Sequence, residues 1–109
     1  MNPKLLRVTY KGKTKSAFSS FEGVYLQKPA TKESNKRPYW IQHNKENAIW
    51  FDDWNWRWAI GPLDGLGTEE KVLFYAKNDT LGPQEATPWG YDKHKNWTRD
   101  DNIIVEAGM

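Results

Sequence analysis

The chain contains no cysteine, so no disulfide and no thiolate zinc site can hold it together, and its stability has to come from packing. It also has no apolar run approaching the ~18 residues of a membrane span. The first fifteen residues are basic and lack the apolar stretch of ~7–15 residues that a signal peptide needs. These absences slightly favour an intracellular setting, and they are equally compatible with a piece cut from a larger protein. Histidine is scarce, with two in the chain, which leaves His43 and His94 as the only imidazole bases for a hydrolytic triad. Apolar residues make up 38%, below the ~45–50% usual for soluble domains.

That shortfall is offset by seven Trp, five Tyr and four Phe. A buried aromatic ring removes roughly 150–250 Å² from water, so a few rings can replace many aliphatics. At 109 residues the chain has room for one domain and one modest core, expected over about residues 5 to 106.

The net charge of +2 is unevenly distributed. Residues 1 to 37 carry nine Lys/Arg against two Glu, or +7, and the remainder carries seven against twelve, or −5. A basic arm for phosphates or an acidic partner is one reading. The plainer one is a solvated face that pairs with the acidic remainder of the same chain. Nucleic acid is disfavoured, because base-stacking rings usually sit among the cations and here the Trp cluster lies beside Asp52, Asp53 and Asp64.

Strand-like segments recur along the chain. Leu6, Val8 and Tyr10 alternate with Arg7 and Thr9, and Lys11-Gly12-Lys13 reads as a turn. Phe21 to Gln27 is a second strand, followed by a polar loop from Lys28 to Arg37 whose tip should be exposed and mobile. Tyr39 to His43 and Ala48 to Asp52 form a hairpin across Asn44 to Asn47. Trp56 to Ile60 follows a turn at Asp53 to Asn55, placing Trp56, Trp58 and Ile60 on one packed face. Gly61-Pro62 and Asp64 to Gly67 break the pattern. Thr68 to Lys77 is strand or helix, with strand favoured by Val72, Leu73, Phe74 and Tyr75. Trp89 to Tyr91, a tight turn at Asp92 to Lys95, Asn96 to Thr98 and Asn102 to Glu106 complete the set. The expected fold is all-β: a small antiparallel meander of about eight short strands forming a compact sandwich or partly open barrel.

Gly23-Val24-Tyr25, Pro38-Tyr39-Trp40, Ala48-Ile49-Trp50-Phe51 and Trp58-Ala59-Ile60-Gly61 occur in an order that resembles Trp-rich β modules of large eukaryotic multidomain proteins. The resemblance spans residues 21 to 98 and implies a module, with no activity attached.

Catalytic constellations are thin. His43 sits among strand residues and reads as a structural imidazole, and His94 lies in a turn between Lys93 and Lys95. Ser16, Ser19, Ser20 and Ser34 lie in no Gly-x-Ser-x-Gly elbow. Asp52 and Asp53 sit near a Trp-rich surface but point to opposite faces of a strand, so they cannot readily flank one glycosidic bond. Calcium could draw on Asp52, Asp53 and Asn55, or on Asp64, Asp79 and Asp92, but no Asp-x-Asp-x-Asp spacing supports it. Gly65 and Gly67 make no phosphate-binding fingerprint. Asn78 and Asn96 each head a glycosylation sequon that matters only in a secreted protein. No enzyme activity, cofactor or metal is expected.

Adjacent aromatics on a strand face opposite sides, so Trp50 and Phe51 cannot share one core, and one of them meets a second layer or solvent. Trp54 lies in the turn with no path inward, and an exposed Trp is a frequent binding anchor. The expected site is therefore Trp54 with Asp52, Asp53, Asn55 and Arg57 supplying polar contacts. The expected function is a non-catalytic, monomeric interaction module for a peptide or protein partner. The alternative is a carbohydrate-binding module that stacks sugars on exposed Trp or Tyr rings.

Overall fold

A computed structural model describes residues 2–11, 19–76, 80, 82–93 and 96–108. His94, Asn78, Asp79, Ser16 and the turn at Gly12-Lys13 fall outside that set, as does the second half of the turn expected at Asp92 to Lys95. Nine strands are present: β1 (Leu5–Tyr10), β2 (Gly23–Lys28), β3 (Tyr39–Gln42), β4 (Asn47–Asp52), β5 (Arg57–Pro62), β6 (Phe74–Ala76), β7 (Trp89–Lys93), β8 (Asn96–Arg99) and β9 (Ile103–Ala107). The helical elements among the described residues are two single 3-10 turns, at Ser19–Phe21 and Leu63–Gly65. None of the described helices is long and apolar enough to cross a membrane.

All nine strands join one antiparallel sheet in the order β8-β7-β6-β5-β4-β3-β2-β1-β9. β1 to β8 form a continuous meander, and β9 returns to the far side of β1, with Val8 opposite Val105. Strand direction alternates across the sheet, so β8 and β9 run the same way. They are joined by a turn over Asp100 to Asn102, across which the chain passes from pairing with β7 to pairing with β1. The turn draws the sheet round into a curled half-barrel, the partly open barrel of the two expected architectures.

Alternation divides the side chains into two layers. Leu6, Val8, Tyr25, Trp40, Ile49, Phe51, Trp58, Ile60 and Phe74 fill the concave core. Trp50 lies on the other face with Ala48 and Ala59, covered by Tyr39, Leu63, Leu66 and Val72. Trp50 and Phe51 are thus both fully buried, in different layers. The three fully enclosed indoles each donate N–H to a loop carbonyl: Trp40 to Pro3 at 2.9 Å, Trp50 to Thr68 at 3.1 Å and Trp58 to that of Thr80 at 2.9 Å. At about 25 cal/mol per Å², each ring contributes roughly 4–6 kcal/mol of burial, and the N–H bond removes the penalty of an unpaired polar group.

Four local expectations are corrected. Trp56 lies outside β5, because the turn extends over residues 53–56 and the strand starts at Arg57. Gly61 and Pro62 lie inside β5 rather than ending it before Gly61. There a Cβ on Gly61 would meet the Lys71 carbonyl and come within 2.9 Å of the Trp50 ring, so only glycine fits without displacement. The strand expected from Thr68 to Lys77 is confined to Phe74–Ala76. Thr68 instead donates its hydroxyl to the Gly65 carbonyl at 2.7 Å, closing a turn. The loop from Lys28 to Arg37 is not an exposed tip throughout. Ser34 is fully buried and donates to the Arg37 carbonyl at 2.8 Å, while the Asn35 amide donates to the Phe51 carbonyl at 2.7 Å. Short polar side chains here take over the backbone's partners, a tie that hydropathy does not register.

Candidate functional site

The β4–β5 hairpin ends in a four-residue loop, Asp53-Trp54-Asn55-Trp56, spanned by the Asp52↔Arg57 pair. Trp56 has φ of 54°, in the left-handed region. A side chain costs about 1–2 kcal/mol there, and the position is normally given to Gly or Asn. The loop is held from below by Asp52. Its Oδ1 accepts the backbone N–H groups of Trp54 at 3.1 Å and Asn55 at 3.3 Å. Its Oδ2 accepts Asn55 Nδ2 at 3.0 Å and Arg57 Nε at 2.9 Å.

Asp52, expected to meet a ligand, has a fully enclosed side chain and organises the turn instead. The physical reason is that Asp52 shares Trp50's face at the end of β4 and is enclosed there opposite Arg57, so its carboxylate needs donors, which Arg57 and the loop supply. Trp54 is 80% exposed at the tip. Asp53 is exposed beside it. Asn55 is exposed as well, though its amide is shared between Asp52 and Glu69 Oε2 at 2.7 Å. Arg57 is largely buried, with a side-chain exposure of 13%. Of the five expected site residues, Trp54, Asp53 and Asn55 present themselves to solvent, while Asp52 and Arg57 support them from beneath.

Trp56 is a residue that sequence reasoning placed in the core. It is 53% exposed, with one ring edge on Phe51 at 5.2 Å between centroids. The Arg37 guanidinium lies 3.6 Å from the Phe51 centroid and 5.5 Å from that of Trp56, so a cation from the distant β2–β3 loop completes the aromatic group.

On the opposite face the hairpin continues into a polar row. The Arg57 guanidinium sits 3.9 Å over the Tyr75 ring, and the Tyr75 hydroxyl donates to Asp92 Oδ1 at 2.5 Å. Trp97 donates its indole N–H to the Tyr75 carbonyl at 3.3 Å. Burial pushes the Tyr75 phenol up to about 12; the hydrogen bond to Asp92 and the negative charge there add to this, and Arg57 partly opposes it. Tyr75 is therefore a neutral hydrogen-bond donor at physiological pH. Asn55, Trp56, Arg57 and Tyr75 line an open hollow of about 320 Å³. His43 lies just past β3, at the other end of β4 from this loop.

Arg37, Glu69, Tyr75 and Asp92 were not legible as site residues, because each reaches the hairpin from another part of the chain. The buried role of Asp52 did leave a trace. Asp followed by backbone donors two and three residues on is the pattern of a side-chain-capped turn. Comparisons with family profiles, with curated proteins and with solved structures found no match to this chain.

Proposed function

We propose that the domain is a non-catalytic interaction module that docks a peptide or protein partner through the Trp54–Trp56 hairpin tip. The observation that carries this reading is the presentation of two large rings, Trp54 at 80% and Trp56 at 53% exposure, on a loop fixed by three hydrogen bonds to one buried carboxylate that Arg57 also holds. Exposed Trp has a solvation cost that folding does not require, and Trp is enriched among residues that dominate binding energy. A loop already ordered before binding loses little conformational entropy on docking. The left-handed backbone at Trp56 supports the same reading, since strain retained in a loop is characteristic of sites kept for function.

A second reading, carbohydrate binding, is favoured by one observation: the hollow beside Trp56 is lined by Asn55, Arg57 and Tyr75, residues that carry polar groups. A ring with polar groups around it suits a sugar face and its hydroxyls. The two readings separate in one experiment, in which the tagged domain is presented to a glycan array and, in parallel, to a photo-crosslinking capture with a photoreactive group at position 53. A protein partner whose capture disappears with Trp54→Ala supports docking. Binding to a defined sugar series that is lost with Trp56→Ala supports the second reading and overturns the first.

A further inference from the structure

Among the described residues, the strongly basic first third of the chain has no counterpart in the ion pairs of the fold. Among the described residues these pairs are Arg57–Asp52, Lys71–Asp64 and Arg99–Asp101, and none involves a Lys or Arg from the first 37 residues. The expected intramolecular neutralisation of that segment is therefore not made by ion pairs among the described residues; Arg37 is engaged by aromatic rings instead.

One cation of that segment, Lys28, borders an apolar groove on the convex face, where His43 and Lys45 join it from the following segment. Leu26 of β2 stands directly across from Ile41 of β3 and is 39% exposed. Lys28, two residues farther along β2, is on the same face, and His43, just past the end of β3, also lines the groove. Lys45 follows in the β3–β4 turn, held by its backbone bond to Gln42 at 2.7 Å. Leu63 is brought to the groove by its N–H bond to the Glu46 carbonyl at 2.9 Å. Together these six residues border an open volume of about 350 Å³. Lys28, His43 and Lys45 make no ion pair among the described residues, and Glu46, the acid nearest in sequence, does not line the groove.

We propose that this groove binds an acidic peptide segment, with an aliphatic side chain seated on Leu26, Ile41 and Leu63 and carboxylates facing Lys28, His43 and Lys45. The charge complementarity selects an anion, and the aliphatic floor selects what the anion carries. A nucleic acid would be expected to find rings for base stacking, and this floor offers none. A membrane surface would call for apolar side chains projecting beyond the cations, whereas here they lie in a recess between them. The groove is separate from the Trp54 tip: none of its lining residues belongs to the hairpin loop, and His43 and Lys45 lie beyond the opposite end of β4.

The test is an amide-shift titration of the whole domain by NMR with the synthetic peptide Glu-Asp-Glu-Leu-Leu-Asp-Glu-Asp. The expected result is movement of the Leu26, Ile41, His43 and Lys45 amides, an affinity weakened about tenfold or more in the exposed double variant Lys28→Glu/Lys45→Glu, and strong attenuation by salt. Replacing both leucines of the peptide by alanine should weaken binding comparably. Trp54→Ala should leave it unchanged, which separates failure of this groove from failure of the hairpin site. Undisturbed groove amides, or equal binding by the charge-reversed variant or the alanine peptide, overturn the proposal. Phosphatidylserine vesicles or polyuridylate moving the same amides at lower concentration than the peptide would also overturn it.

Discussion

The Asp52 carboxylate meets the Arg57 guanidinium at 2.9 Å across the neck of the β4–β5 hairpin, with Asp52 fully enclosed and Arg57 nearly so. The pair closes the last rung of the ladder and leaves the second carboxylate oxygen to hold the loop backbone. It thus links the sheet, which is rigid, to the exposed rings that the sheet presents.

Removing one partner of an enclosed pair leaves the other charge uncompensated. Asp52→Ala is expected to cost about 3–5 kcal/mol, a large part of the total stability of a small domain. Asp52→Asn, which keeps an oxygen for the two backbone donors, should cost less. Urea unfolding of the two variants checks both magnitude and order, and an Asp52→Ala loss below about 0.5 kcal/mol would mean that the pair does not hold the turn.

Trp56 and Trp58 are two residues apart and should respond very differently. Trp58 is fully buried, so Trp58→Ala should cost roughly 3–5 kcal/mol. Trp56→Ala should cost about 1 kcal/mol, the worth of its edge contact with Phe51. Trp56→Gly should be the more stable of the two Trp56 variants by about 1 kcal/mol, since glycine adopts a φ of 54° freely. Thermal unfolding of the three variants provides the comparison.

Tyr75 and Tyr25 set the alkaline limit. Burial raises both phenols above the usual 10.0, Tyr75 to about 12, so the folded state holds these protons more tightly than the unfolded one. Their contribution is fully present below pH 10 and is lost as pH rises from about 10 toward 12. Urea midpoints measured across that window should fall with pH. They should fall less steeply in Tyr75→Phe, which at neutral pH loses only its bond to Asp92, about 1 kcal/mol.

Much of this architecture is written locally. The alternation of Leu6, Val8 and Tyr10, the hairpin between Tyr39 and Asp52, and the opposed burial of Trp50 and Phe51 follow from a period of two and can be read without the fold. The return of β9 to β1 cannot, because pairing Ile103 with Tyr10 depends on a contact spanning most of the chain. The site divides in the same way. Trp54 is legible because a turn gives it no inward path. Trp56 is not, because its even spacing from Trp58 imitates a strand, and only the left-handed φ reveals the loop. Arg37 and Tyr75 join the hairpin by tertiary approach alone.

The most direct test of a rigid, presented aromatic tip is the melting temperature and partner binding of Trp54→Ala measured on the same preparation. With Trp54 80% exposed, the account predicts a melting temperature within about 2 °C of the parent, as for a surface substitution, together with loss of the partner found by crosslinking. A variant that unfolds like Trp58→Ala, or one that melts normally and keeps its partner at full affinity, would contradict it.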